Sequence, residues 1–148
     1  MKHLVTEITI DAPTDVVWDV LTDLAAYPEW NPFIVEVHGK PQLGTQLKNR
    51  LQPPGGKAMR FSPTVTAVDP DTKFEWLGRL GFRGVFDGRH IFELEATESG
   101  TRFVQREEFT GLLVPLFARS LDGKTKAGFE AMNRAIKERA EAQAHERG

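Results

Sequence analysis

The chain has 148 residues, 40% hydrophobic and 27% charged, with a formal net charge of −2. That reads as one globular domain over residues 1–148 with enough material for a core. Lysines and arginines are scattered without a basic run. This argues on electrostatic grounds against nucleic acid, or an anionic membrane, as the main partner. Cysteine is absent, which excludes disulfide frameworks and thiolate metal sites.

Residues 3–10, HLVTEITI, alternate in polarity as a strand does. The acidic, alternating start is no signal peptide, and no run approaches the roughly 18 apolar residues of a membrane span. A cytoplasmic location and no stable membrane insertion are expected. Pro13 suits a first helical turn. Val16, Val17, Val20, Leu21 and Leu24 then fall at helical spacing, predicting a short helix over roughly 14–24. YPEWNPF, residues 27–33, follows as a stiff aromatic corner in which Pro28 and Pro32 stop the helix. Trp30 and Phe33 read as a hydrophobic plug with Asn31 capping the bend, or with Trp30 also lining a cavity.

From residue 33 to 110 the pattern is short strands between turns. The runs are Phe33–His38, Leu47–Gln52, Met59–Ala67, Lys73–Leu77, Arg89–Glu95 and Arg102–Phe109. Such runs imply an antiparallel meander with one face covered. The cover is a helix predicted over roughly 116–143, with Phe117, Leu121, Thr125, Gly128, Phe129, Met132, Ile136 and Ala140 on one face. At 1.5 Å per residue it is about 42 Å long, enough to cross a whole sheet.

Three stretches carry a family resemblance: ITIDAPTDVVWDVLTDLAAYPEWNPF, GRHIFELEATESGTRFVQREEFTG and the terminal helix. They resemble the START-like helix-grip superfamily (SRPBCC), which includes the birch-pollen-allergen-like proteins, and within it the bacterial polyketide cyclase/dehydrase-like group. The resemblance implies an α+β helix-grip fold. In that fold a curved antiparallel sheet of about seven strands wraps the long C-terminal helix around an apolar cavity, with two short helices after the first strand.

The candidate chemistry lies at inward-facing strand positions. His90 is in phase with Phe92 and Leu94, Glu107 with Gln105 and Phe109, and Asn49 with Leu47 and Leu51. A buried carboxylate is costly unless paired, and a His–Glu pair across neighbouring strands could shuttle a proton. Glu107 and His90 are therefore the catalytic candidates, with polar contact to a ligand and structural pairing as the alternatives. Trp30, Asn49, Phe61, Trp76, Phe82, Phe86, Phe92, Gln105, Phe109, Phe117, Leu121 and Phe129 are the candidate ligand-binding residues. LGFRGVF (80–86) and GLLVPLF (111–117) are apolar connections, read either as a gate at a cavity mouth or as a packed surface or homodimer contact. The four histidines have no metal-ligand spacing, and no fingerprint of a nucleotide cofactor occurs. No metal and no cofactor are expected. The leading reading is a binder of a hydrophobic small molecule. The alternatives are a cyclase, dehydratase or isomerase using Glu107 and His90, and a protein-interaction domain resembling the activators of the Hsp90 ATPase.

Overall fold

The computed structural model describes residues 1–80 and 84–147. Strand β1 (Lys2–Ile10) leads into helix α1 (Thr14–Thr22), a 3-10 turn (Leu24–Ala26) and the one-turn α2 (Tyr27–Trp30). Seven strands follow: β2 (Ile34–His38), β3 (Lys48–Leu51), β4 (Met59–Phe61), β5 (Thr64–Asp69), β6 (Lys73–Leu80), β7 (Phe86–Thr97) and β8 (Gly100–Thr110). Next come α3 (Val114–Ser120), a π turn (Leu121–Thr125) and α4 (Lys126–Arg147).

The strands form a five-stranded sheet in the order β1-β8-β7-β6-β5 and a three-stranded sheet in the order β2-β3-β4. Every pairing is antiparallel. The fold is the α+β helix-grip arrangement, with eight strands in two sheets among the described residues rather than about seven in one. The difference arises in the run 59–67. Pro63 has no N–H to donate, and it divides β4 from β5, which join different sheets. The carbonyl of Pro63 instead accepts from the Leu47 N–H at 2.8 Å, and a lone bridge joins Gln46 to Thr64.

At the corner, Asn31 Oδ1 accepts from the backbone N–H groups of Phe33 (3.0 Å) and Ile34 (2.9 Å), so the amide does cap the bend. Tyr27 is fully buried and its hydroxyl donates to the Leu21 carbonyl at 2.6 Å. Burial pushes this phenol far above its ordinary pKa, helped by nearby Asp23. Phe33 turns inward, edge-on to Phe129 with centroids 5.6 Å apart, and lies over Gly128 of α4. A Cβ at Gly128 would meet the Phe33 ring at 2.3 Å. A helical glycine costs roughly 0.5–1 kcal/mol against alanine, and here that cost allows the ring to touch the helix backbone.

The long helix starts at Val114, two residues before its predicted start, and runs to Arg147 with the π turn inside it. A π turn inserts one residue, which rotates everything before it relative to everything after it by roughly a quarter turn. Phe129, Met132, Ile136 and Ala140 keep the predicted buried face, and Leu121 is buried. Phe117 does not share it: it is 38% exposed and touches Phe86 edge-on at 5.3 Å.

Candidate functional site

Antiparallel register places directly opposed residues on one face. Leu4, Glu107, His90, Trp76 and Val65 form one row across β1, β8, β7, β6 and β5. The neighbouring row holds Thr6, Gln105, Phe92 and Phe74. Both rows face α4, and between them an imidazole is set into aromatic rings. His90 is 4% exposed, with ring centroids of Phe92, Phe129 and Trp76 at 4.5, 4.9 and 5.3 Å.

Every polar atom of this imidazole has a partner. His90 Nδ1 lies 2.8 Å from Glu107 Oε1, and Nε2 lies 2.9 Å from Gln105 Oε1. Gln105 Nε2 donates to Asn133 Oδ1 at 2.8 Å and to the Phe129 carbonyl at 3.3 Å. Asn133 Nδ2 donates to the Thr6 hydroxyl at 2.9 Å, and that hydroxyl donates to the Gln105 carbonyl at 3.1 Å. The chain runs from the sheet into α4 and back to β1.

Donor rules fix most of the hydrogens. The Phe129 carbonyl can only accept, so the Gln105 amide nitrogen faces the helix and its oxygen faces His90. Nε2 of His90 therefore carries a hydrogen. Nδ1 and Glu107 Oε1, 2.8 Å apart, would repel if both lacked a proton, so one proton lies between them. Whichever atom holds it, the pair has no net charge, which suits an apolar wall. The Glu107 side chain is 16% exposed, so the carboxyl is the outer end of the chain. Gly88 makes room for it, because a Cβ there would lie 2.5 Å from Glu107 Oε2.

The other sequence candidates lie in several places. Trp76, Phe92, Gln105, Phe109 and Phe129 are buried, and all but Phe109 touch His90 directly. Phe109 packs on Phe86 at 5.8 Å, and Leu121 is buried at the π turn. Asn49 and Phe61 are paired on the second sheet. Asn49 is 3% exposed, and neither of its side-chain amide atoms has a hydrogen-bond partner among the described residues. Trp30 packs edge-on to Tyr27 at 5.1 Å and lines a surface hollow of about 190 Å³ between α1 and α4, together with Asp19, Asp23 and Arg139. Phe117 lies on the outside, as described. Phe82 and its neighbours at 81 and 83 in the 80–86 connection fall outside the described residues. Beneath α4 the space is filled by Phe33, Phe74, Trp76, Phe92, Phe103 and Phe129, each at most 2% exposed. Among the described residues no three His, Asp or Glu side chains gather as metal ligands. No described helix is long and apolar enough to cross a membrane.

Sequence reasoning missed Thr6, Gly88 and Asn133. Asn133 interrupts the apolar stripe of Phe129, Met132 and Ile136, and Thr6 alternates in phase with Leu4 and Ile8. A polar residue inside an apolar phase was the available signal in both cases.

The family model described as polyketide cyclase / dehydrase and lipid transport matches residues 1–141. The chain belongs to that family. Among solved structures, the aromatase/cyclase ZhuI from Streptomyces sp. R1128 is similar at 19% identity and a TM-score of 0.77, over 96% of this chain and 94% of that one. A Mesorhizobium loti protein is similar at 21% identity and a TM-score of 0.72, over 99% and 98%. One half of the di-domain aromatase/cyclase StfQ of the steffimycin biosynthetic pathway also aligns, at 13% identity and a TM-score of 0.67, over 93% of this chain and 51% of that one. At these identities the likeness is one of fold. No curated protein matches.

Proposed function

We propose that this family member binds a hydrophobic small molecule between the concave sheet face and the long helix, in space opened by movement of the aromatic side chains that fill it, with the Glu107–His90 pair as its polar end. The observation that carries this is the slightly exposed Glu107 carboxyl joined at 2.8 Å to an imidazole enclosed by aromatic rings. An apolar surface with one oriented polar group is the usual chemistry of a small-molecule site. Access is cheapest at the Glu107 end, where Phe61 and Phe86 are only half-buried and Phe117 is exposed. Family membership supports the same class of ligand.

A second reading rests on the single proton shared by His90 and Glu107. A pair that can give a proton at one atom and take it back at the other suits a cyclase or dehydratase, which must move protons beside a carbonyl. The fold shared with aromatase/cyclases supports it.

Native mass spectrometry of the purified protein tests the first reading. A noncovalent lipophilic adduct on the wild type, lost or weakened in Glu107→Gln with unchanged circular dichroism, is expected. Protein without an adduct, combined with no response of the His90 ring signals to added lipophiles, would refute it. The enzyme reading differs in its outcome: Glu107→Gln keeps the adduct while conversion of the bound compound stops.

A further inference from the structure

We propose that the α3 end of the molecule docks reversibly on anionic lipid surfaces. Leu112, Leu116 and Phe117 enter the headgroup boundary, and Lys57, Arg119, Lys124 and Lys126 face the lipid phosphates. This inference is independent of what the interior binds.

The apolar part is unusual for a surface. Leu112 is 85% exposed, Leu116 75% and Phe117 38%, all within six residues. Clustered exposure of large apolar side chains marks an interaction site, whereas single ones do not. The backbone beneath them is held: Leu112 N–H donates to the Gly84 carbonyl and Leu113 N–H to the Val85 carbonyl, each at 3.0 Å. Val114 anchors the start of α3 in the core, and Phe117 leans on Phe86. The apolar side chains thus project from a fixed platform.

The unpaired charge around them has one sign. Lys57, Arg119, Lys124 and Lys126 are all exposed, and among the described residues none has a carboxylate within ion-pair distance. Asp122, the acid between Arg119 and Lys124, is taken up by Lys2 at 2.7 Å. Lys57, distant in sequence, belongs to the same end because the Lys124 stem lies against neighbouring Gly56, 3.6 Å from where its Cβ would be. The whole chain carries −2, so with these four cations (+4) set aside the remainder carries −6. Folding therefore gathers cations that are scattered in the sequence.

An apolar tip rimmed by cations matches the boundary of an anionic bilayer, where leucine and phenylalanine enter and lysine meets phosphate. A second copy of the chain fits less well. A two-fold contact through this patch would bring the four cations of one protomer against those of its partner.

Sedimentation with large unilamellar vesicles tests the proposal, using phosphatidylcholine alone and phosphatidylcholine with a quarter phosphatidylglycerol. Binding to the anionic vesicles only is expected, and it should fall when salt is raised to about 1 M, where screening is within about 3 Å. Lys124→Gln with Lys126→Gln should weaken partitioning about 25-fold, at about fivefold per cation near the surface. Leu112→Ser with Leu116→Ser should weaken it at least tenfold. Val5→Ser, at an apolar residue on β1 that is 56% exposed, should leave it unchanged. All four leucine and lysine positions are exposed, and thermal melting would confirm that the variants fold. No binding to anionic vesicles, equal binding to both compositions, or indifference to the leucine pair would overturn the proposal. So would a wild-type dimer in ultracentrifugation that the leucine pair dissociates, since that would assign the patch to a second copy. None of these outcomes bears on the interior ligand.

Discussion

Replacing Gln105 with leucine keeps the volume of a fully buried side chain and breaks the polar chain at its centre. His90 Nε2 loses its acceptor, and Asn133 Oδ1 loses its donor. The Phe129 carbonyl loses a weaker contact at 3.3 Å. An orphaned buried polar group costs about 1–3 kcal/mol. Two of them imply about 2–6 kcal/mol, and the better burial of leucine returns about 1 kcal/mol. A net loss of about 1–5 kcal/mol is a large share of the roughly 5–15 kcal/mol that holds a domain folded. Urea unfolding should show a lower midpoint at an unchanged slope. The decisive measurement is a double-mutant cycle with Asn133→Leu. Each single variant orphans a partner that the double variant has already removed, so the double should cost less than the sum by about 0.5–3 kcal/mol. A single-variant loss below about 1 kcal/mol, or strict additivity, would refute the hydrogen-bond assignment.

Phe129→Ala should cost about 3–5 kcal/mol in the same assay, because the ring is 1% exposed and packs on both Phe33 and His90; a loss below about 1 kcal/mol would mean that this face is not core. Gly88→Ala places a methyl 2.5 Å from Glu107 Oε2, so it should push the carboxyl off His90, shift the ring nitrogen signals of His90 in NMR and cost about 1–3 kcal/mol by overpacking. Lys137 holds the Glu141 carboxyl below its ordinary pKa, aided by the Asp11 N–H. A depressed folded pKa stabilises above the unfolded value of about 4.3 and loses that contribution as pH falls through the folded value. Glu141→Gln should therefore melt below the wild type at pH 7, and the gap should narrow as pH falls below the unfolded value of about 4.3 and close below the folded one; a gap that persists in acid would remove the charge from the explanation.

The parts of the fold legible in the sequence are those where one periodicity acts alone. Strand alternation puts His90, Gln105 and Glu107 on the covered face, and helical spacing puts Phe129, Met132 and Ile136 opposite them. What escaped depends on geometry that no period encodes. A π turn carries Phe117 outward although its spacing matches Leu121. Pro63 separates two strands that read as one run. The inward Trp30 considered at the corner is half-exposed, because Asn31 ends α2 there and turns Phe33 in instead. The His90–Glu107 pairing needed the register of β7 on β8, where a slip of one residue would have turned both side chains outward. The role of Gly88 becomes visible only once the carboxyl above it has been placed.

Stability alone gives little reason for the polar chain beneath α4. Replacing buried polar groups together by apolar ones of similar shape is often neutral or favourable, whereas removing one member is costly. The core around His90 is already aromatic, so leucines in place of His90, Gln105 and Asn133 would fit its chemistry. What a hydrocarbon core could not supply is a proton on a fixed imidazole, continuous with a carboxyl that reaches the outside. The chain achieves this with every donor around His90 satisfied and no net charge on the pair, which keeps the desolvation cost low. Asn49 lies on the second sheet without partners of its own among the described residues, a different condition from that of the satisfied chain. A fold that tolerates both a closed polar relay in an aromatic core and, on its second sheet, a buried amide without partners among the described residues carries more polarity than folding requires. That excess is the physical ground for reading the interior as a site.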